Sequence, residues 1–440
     1  MDSNEKKVFI GQDTDGIGSI AVHPSRKYFA VAEKGRMPNI YIFEYPSLKL
    51  YRIMRNGTEN LYSHIEFSSS GTKLASVGGN PDYTITVWDW IIEKVILKAK
   101  AFSQEVYKVT FSPYTDDILF TCGSGHIRFW KMAQTFTGLK LQGEIGKFGQ
   151  LELSDVTGVA ELPDGKVLCG SEYGTLILWD GNLVKAHLVR NTQTKECLHK
   201  GFIEVVMFDG ESFITAGGDG YIRWWKFADI DNAEAGDILE VEIHPIKEQI
   251  VLDETNNTPA YIVTMVKGPD HWLIGDGHGK VWKLHFETMR VEQILSFHSK
   301  RIQDLAIPQA INSSITIGED GTVRMWDFVK DKQFYSKGFV GAGSCVDIMP
   351  YADANQGRIL AVGFDNGIVR VLLIGSHDFM VLKAFKAHDS KIIKVRYSPD
   401  NTMFVTASEN GDLFFFEIGL DNVQRYEPLC MVQIPSQTPT

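Results

Sequence analysis

The stretch Gly318-Glu319-Asp320-Gly321-Thr322-Val323-Arg324-Met325-Trp326-Asp327 constrains the fold of this chain more than any other. Its Asp-Gly pair supplies the positive φ of a tight hairpin turn. The residues after the turn alternate with period two, as a strand does, and end in Trp-Asp. Degenerate copies recur along the chain. The place of Trp326 is taken in turn by Phe43, Trp88, Trp130, Trp179, Trp225, Leu284, Trp326, Leu372 and Phe416. Successive copies lie roughly 42 to 59 residues apart, the period of a supersecondary unit that cannot bury its hydrophobic face alone and must stack on its neighbours.

Each unit reads as three short strands joined by Gly, Pro, Asp and Ser turns, with a more polar fourth strand. Ile65-Glu66-Phe67, Leu74-Ala75-Ser76-Val77 and Ile85-Thr86-Val87-Trp88 are one such set, followed by Lys94-Val95-Ile96-Leu97-Lys98. Repeat length and Trp-Asp strand ends together resemble the WD40-repeat β-propeller family, and the resemblance covers nearly the whole chain. It implies an all-β fold of nine four-stranded units, near 17–59, 60–102, 103–150, 151–196, 197–258, 259–297, 298–342, 343–387 and 388–434. Segment 1–16 contains an orphan strand, Lys6 to Ile10, expected either to close the edge of a last blade or to finish an earlier blade of a longer chain, and 435–440 reads as a fraying tail. Nine units leave two arrangements open: a seven-bladed ring plus part of a second, or one larger ring.

The 440 residues carry a formal charge of −11. A nucleic-acid partner needs a basic surface, so none is expected. No apolar run is long enough to span a membrane, and polar residues follow Met1. The five cysteines form no CxxC pair. Cys122 and Cys169 read as small buried hydrophobes, which fits a reducing compartment.

Three units carry a fuller signature: His199, Thr215, Asp219 and Trp225; His298, Thr316, Asp320 and Trp326; and His388, Thr406, Asn410 and Phe416. Asn410 and Phe416 depart from the family pattern. The resemblance implies a relay from Asp through His and Thr to the Trp N–H. A His beside Asp and Thr also suits acid–base chemistry. Recurrence in several units, and the need of a buried indole for a partner, favour a structural role. Gly275-Asp276-Gly277-His278-Gly279-Lys280 lacks phosphate-loop spacing and precedes a strand, so it reads as a blade turn. Asp229, Asp231 and Glu240 occupy three EF-hand positions, but Ala233 and Glu234 break the pattern, leaving a solvated acidic loop within an insertion near 228–258. No motif anchors a catalytic reading, and no cofactor, metal or small-molecule substrate is expected. In WD-repeat geometry the residues before each turn Asp and those opening each first strand share one face. Here these are Glu105, Tyr107, Phe202, Glu204, Arg301, Gln303, Glu319, Lys391 and Glu409, and their mix of charge with Phe and Tyr suits protein partners.

Some stretches are not generic to WD repeats, among them Val31-Ala32-Glu33-Lys34-Gly35, Asn80-Pro81-Asp82-Tyr83-Thr84, Thr135 to Gly143 and Glu161 to Leu168. They resemble a cilia- and flagella-associated family of axonemal WD-repeat proteins, most densely over residues 17–180. That resemblance implies a non-catalytic scaffold in the cytoskeleton of the cilium or flagellum, within a longer chain. It would tether or regulate inner-arm dynein heads on doublet microtubules, beside a WD-repeat tether relative. Competing readings are a cytosolic WD-repeat adaptor, such as a ubiquitin-ligase receptor or coat component, and a propeller enzyme with a channel-lined site. A perturbed carboxylate or histidine cluster in the channel would favour the enzyme. A basic or aromatic pocket would favour peptide recognition.

Overall fold

The computed structural model describes residues 15–236, 238–253, 258–308, 312–329, 332–350, 357–419 and 425–434. Among them the repeat becomes nine antiparallel sheets, here called blades one to nine, eight of them four-stranded. The orphan strand at Lys6–Ile10 and the tail from 435 lie outside the described residues. Blade two shows the common plan, with strands Tyr62–Phe67, Leu74–Gly78, Thr84–Asp89 and Lys94–Lys100 in sequential order. Its second strand is buried at every position, because neighbours cover both faces. Its fourth strand is a mixture of half-buried and exposed residues, as an outer strand is.

Cores form between successive blades rather than within them. Ala30, Ile42 and Met54 of blade one pack with Tyr62, Leu74 and Trp88 of blade two. Val77 and Val87 pack with Leu119 and Trp130 of blade three, and Phe120 and Ile127 with Trp179 of blade four. Leu168 and Leu178 pack with Phe213 and Trp225 of blade five. In blades two to five the repeated Trp is thus the side chain that packs into the preceding blade. Burying so large an apolar ring contributes about 2–3 kcal/mol per site.

Two irregularities recur. The first and second strands slip register at Ile17/Ser19, Tyr62/His64, Ile203/Val205, Ile302/Asp304 and Ile392/Lys394. The third and fourth slip at the repeated Trp position, as at Val87/Trp88, Leu178/Trp179 and Met325/Trp326. Each β-bulge increases local twist and re-aims a side chain. The first set turns inner-strand residues such as His64 and Asp304 toward the adjoining blade; the second turns the indole into the preceding blade's core.

Blade four differs. Its sheet has a fifth strand, Glu240–Glu242, added in parallel to Leu183–Val189. This strand comes from the insertion between the third and fourth strands of blade five, which also contains the helix Phe227–Asp231. Ile230, Ala233 and Ile243 are buried in the core shared by blades four and five. Lys166 bridges to Asp164 at 3.0 Å and to Asp231 at 2.7 Å. The insertion is therefore a packed strap, not the solvated acidic loop expected from composition. Asp237 lies outside the described residues.

The chain divides into two compact units, residues 1–274 with 285–289, and residues 275–284 with 290–440. The division falls within blade six, earlier than a seven-plus-two partition of the repeats would place it.

Candidate functional site

The blade-five residues His199, Thr215, Asp219 and Trp225 form a continuous hydrogen-bonded chain. Trp225 Nε1–H donates to Thr215 Oγ1 at 2.8 Å, and Thr215 lies 2.7 Å from His199 Nε2. His199 Nδ1 lies 2.9 Å from Asp219, whose other oxygen accepts from Arg223 at 2.9 Å. Burial would raise the Asp219 carboxyl, but hydrogen bonds and charge from His199 and Arg223 outweigh it and hold the group well below the usual range. Burial lowers His199, against the hydrogen bond and charge of Asp219, which raise it. Blade seven repeats the geometry: Trp326 to Thr316 at 2.8 Å, Thr316 to His298 at 2.8 Å, and His298 to Asp320 at 3.0 Å. In blade nine His388 reaches Thr406 at 2.8 Å, and Phe416 has no N–H to continue the chain.

Blades two, three and four keep only the last link. Trp88 donates to Ser76 at 2.9 Å, and Trp130 to Thr121 at 2.9 Å. Trp179 donates to the sulfur of Cys169 at 3.1 Å. Cys169 is fully buried, as its strand position suggested, and burial pushes its thiol up to about 12. Its role as the indole's acceptor was readable only from its offset to Trp179, which matches that of Thr215 to Trp225.

The first strands of blades two to six line a cleft of about 320 Å³. His64, Glu66, Lys108, Thr110, Cys122 and Glu204 contribute its polar groups. Burial pushes the Glu66 carboxyl up to about 7 and His64 down to about 4. Perturbed groups in a cleft are the mark expected of a catalytic channel. Their bonding has a different logic. Both Glu66 oxygens are engaged by blade three, one by Thr110 Oγ1 at 2.6 Å and one by the Phe111 N–H at 3.0 Å. His64 Nδ1 accepts from the Val109 N–H at 3.5 Å. The same link from an inner-strand side chain to the next blade's backbone joins Ser19 to Ile65, Asp304 to Val346 and Asp347 to Tyr397. Lys108 spans the cleft to the Glu204 carbonyl at 2.7 Å. These groups are braces between blades.

Of the residues expected on a partner face, Arg301 and Glu319 are joined by a backbone hydrogen bond, as are Lys391 and Glu409. Gln303 donates to Glu319. Glu105 is exposed and accepts from Tyr83 at 3.2 Å. Tyr107 is tied to Asp155 at 2.7 Å, and Phe202 is half-buried. Glu204 lines the cleft instead, where Tyr261 donates to it at 3.1 Å. The bulge at Ile203/Val205 explains this inward direction. The glycine-rich run at 275–280 is the turn between strands His271–Asp276 and Lys280–His285, with Asp276 accepting from the His278 and Lys280 N–H groups at 2.9 and 2.8 Å.

Residues 9–267 match the family model for the first β-propeller of echinoderm microtubule-associated protein, and residues 379–417 match the WD domain, G-β repeat. The chain belongs to this WD-repeat β-propeller family. Over 96% of its length it is 42% identical to cilia- and flagella-associated protein 44 of Mus musculus. Over 95% it is 36% identical to the protein of that name in Chlamydomonas reinhardtii. It is also 24% identical, over 95% of its length, to the 77 kDa echinoderm microtubule-associated protein of Strongylocentrotus purpuratus. The chain spans 24% of the length of each of the first two relatives and 58% of the third.

Proposed function

We propose that this chain is a non-catalytic protein-interaction scaffold of the cilium or flagellum, working in the axonemal cytoskeleton. The observation that carries the reading is its 42% identity, over 96% of its length, to a cilia- and flagella-associated protein. The fold suits such work. Stacked blades make a rigid frame that presents several loop-lined surfaces at once, so that separate weak contacts add through avidity. The cleft groups are spent on holding blades together, which supports a scaffold over a channel-lined enzyme. The finer form of the proposal is a tether: the scaffold holds inner-arm dynein heads to doublet microtubules beside a second WD-repeat protein.

The test is localisation of the tagged protein in a flagellated cell, before and after detergent removes membrane and soluble matrix. Retention along the extracted axoneme is expected. Complete extraction would sink the axonemal reading and leave a cytosolic adaptor. Crosslinking in the retained fraction then tests the tether, with inner-arm dynein heavy chain as the expected adduct.

A further inference from the structure

A second concave site lies between blades five and six, at the end opposite the Asp-Gly turns. Trp224, Lys247, Lys267, Trp272, Phe286 and Met289 line a pocket of about 170 Å³, with Asp209 at its edge. The residues come from strand ends. Trp224 is in the third strand of blade five and pairs with Lys247 in the fourth. Lys267 ends the first strand of blade six, and Trp272 lies in the second.

Each lysine lies over an indole. Lys247 Nζ is 5.2 Å from the Trp224 ring centre, and Lys267 Nζ is 5.6 Å from that of Trp272. Both lysines are exposed, and neither forms an ion pair among the described residues. Elsewhere in this acidic chain lysines such as Lys166, Lys337 and Lys394 are paired with carboxylates. The floor is aromatic, with Trp272 and Phe286 edge to face at 5.7 Å. Asp209 turns one oxygen inward to cap the Glu211 and Ser212 N–H groups at 3.0 and 2.9 Å.

We propose that this pocket binds an acidic linear segment of a partner protein. An apolar side chain of the segment seats against Trp224, Phe286 and Met289, and flanking Asp or Glu carboxylates pair with Lys247 and Lys267. Charge complementarity commits the occupant. A lysine resting over an indole presents its cation beside an apolar surface, so a segment that is both acidic and apolar meets both chemistries at once. The aromatic floor supplies the apolar anchor that protein hot spots share. This deepens the scaffold reading by naming one docking surface and the chemistry of its partner.

The test is selection of a random peptide display library on the whole chain, followed by affinity measurement of the enriched peptides. Enrichment of an apolar residue flanked by Asp or Glu is expected. Affinity should fall about tenfold or more in K247E/K267E, and should weaken with salt. K247R/K267R keeps the cations and should retain binding. Both lysines are exposed, so the charge reversals should leave the fold intact, checked by circular dichroism. Enriched peptides without acidic residues, no enrichment, or equal binding by K247E/K267E would each overturn the proposal. Axonemal retention is read independently, so failure here leaves the localisation test standing.

Discussion

Trp225 is buried to 1% exposure and has one polar atom to satisfy. Thr215 meets that need and at the same time reaches His199. Thr215→Val keeps the shape but strands both the indole N–H and the His199 nitrogen. Unfolding in denaturant should show a loss of about 2–3 kcal/mol. Cys169→Ala removes only a weak sulfur acceptor from Trp179 and opens a small void, so a loss nearer 1 kcal/mol is expected. Equal losses would contradict the relay as the source of the difference. Asp219 adds an acid-sensitive contribution. Its folded pKa is depressed, so its stabilisation is present above the unfolded value near pH 4 and is lost as pH falls through the folded value. Asp219→Asn should therefore be less stable at neutral pH yet show a shallower fall below about pH 4 in acid titrations of stability. Both full relays were legible because Thr, Asp and Trp recur at the same offsets, with a His 16 or 18 residues before the Thr. The Cys169 link was not, since thiols are more often simple core residues.

At the scale of the element, the strap between the third and fourth strands of blade five gives the sharpest contrast between sequence and structure. Its composition is acidic, yet Ile230 and Ala233 stand three residues apart, as on a helix face, and Leu239, Val241 and Ile243 alternate as in a strand. What no local pattern shows is the parallel pairing to blade four, because pairing is set by the edge the strand meets. The blade strands, by contrast, were legible from alternation and turn residues. Their inward and outward faces were less so: Glu204 was placed on an open surface by strand position, and one bulge directs it into the cleft. The strap covers blade four's outer edge and fills the core beneath. Ile230 is fully buried, so Ile230→Ala should cost about 2–4 kcal/mol, measured by equilibrium unfolding. Asp229→Asn, on the same short helix with no ion pair among the described residues, should change stability by less than about 0.5 kcal/mol. A solvated loop would make the two substitutions alike.

At the scale of the whole molecule, stability rests on links that repeat from blade to blade, and in the first unit two of them titrate in opposite senses. Burial raises Glu66 from 4.5 to about 7. Between those values the unfolded chain has released the proton that the folded chain still holds, so this group makes stability fall as pH rises from about 4.5 to 7. His64 is lowered from 6.5 to about 4. Between about pH 4 and 6.5 the unfolded chain binds a proton that the folded chain refuses, so this group makes stability rise with pH. The contributions of these two groups should therefore largely cancel over the shared window. Glu66→Gln removes the falling component, and its stability relative to wild type should climb by about 1–2 kcal/mol from pH 4.5 to 7, after allowance for water in the cleft. His64→Gln removes the rising component, so its relative stability should decline over the same range. Denaturant unfolding at a series of pH values reads both slopes. Parallel profiles for the two variants and wild type would mean that the cleft leaves these groups solvated. Opposed slopes would place both groups in the dry seam between blades two and three, where each hydrogen bond to the next inner strand also fixes the spacing of the cleft wall.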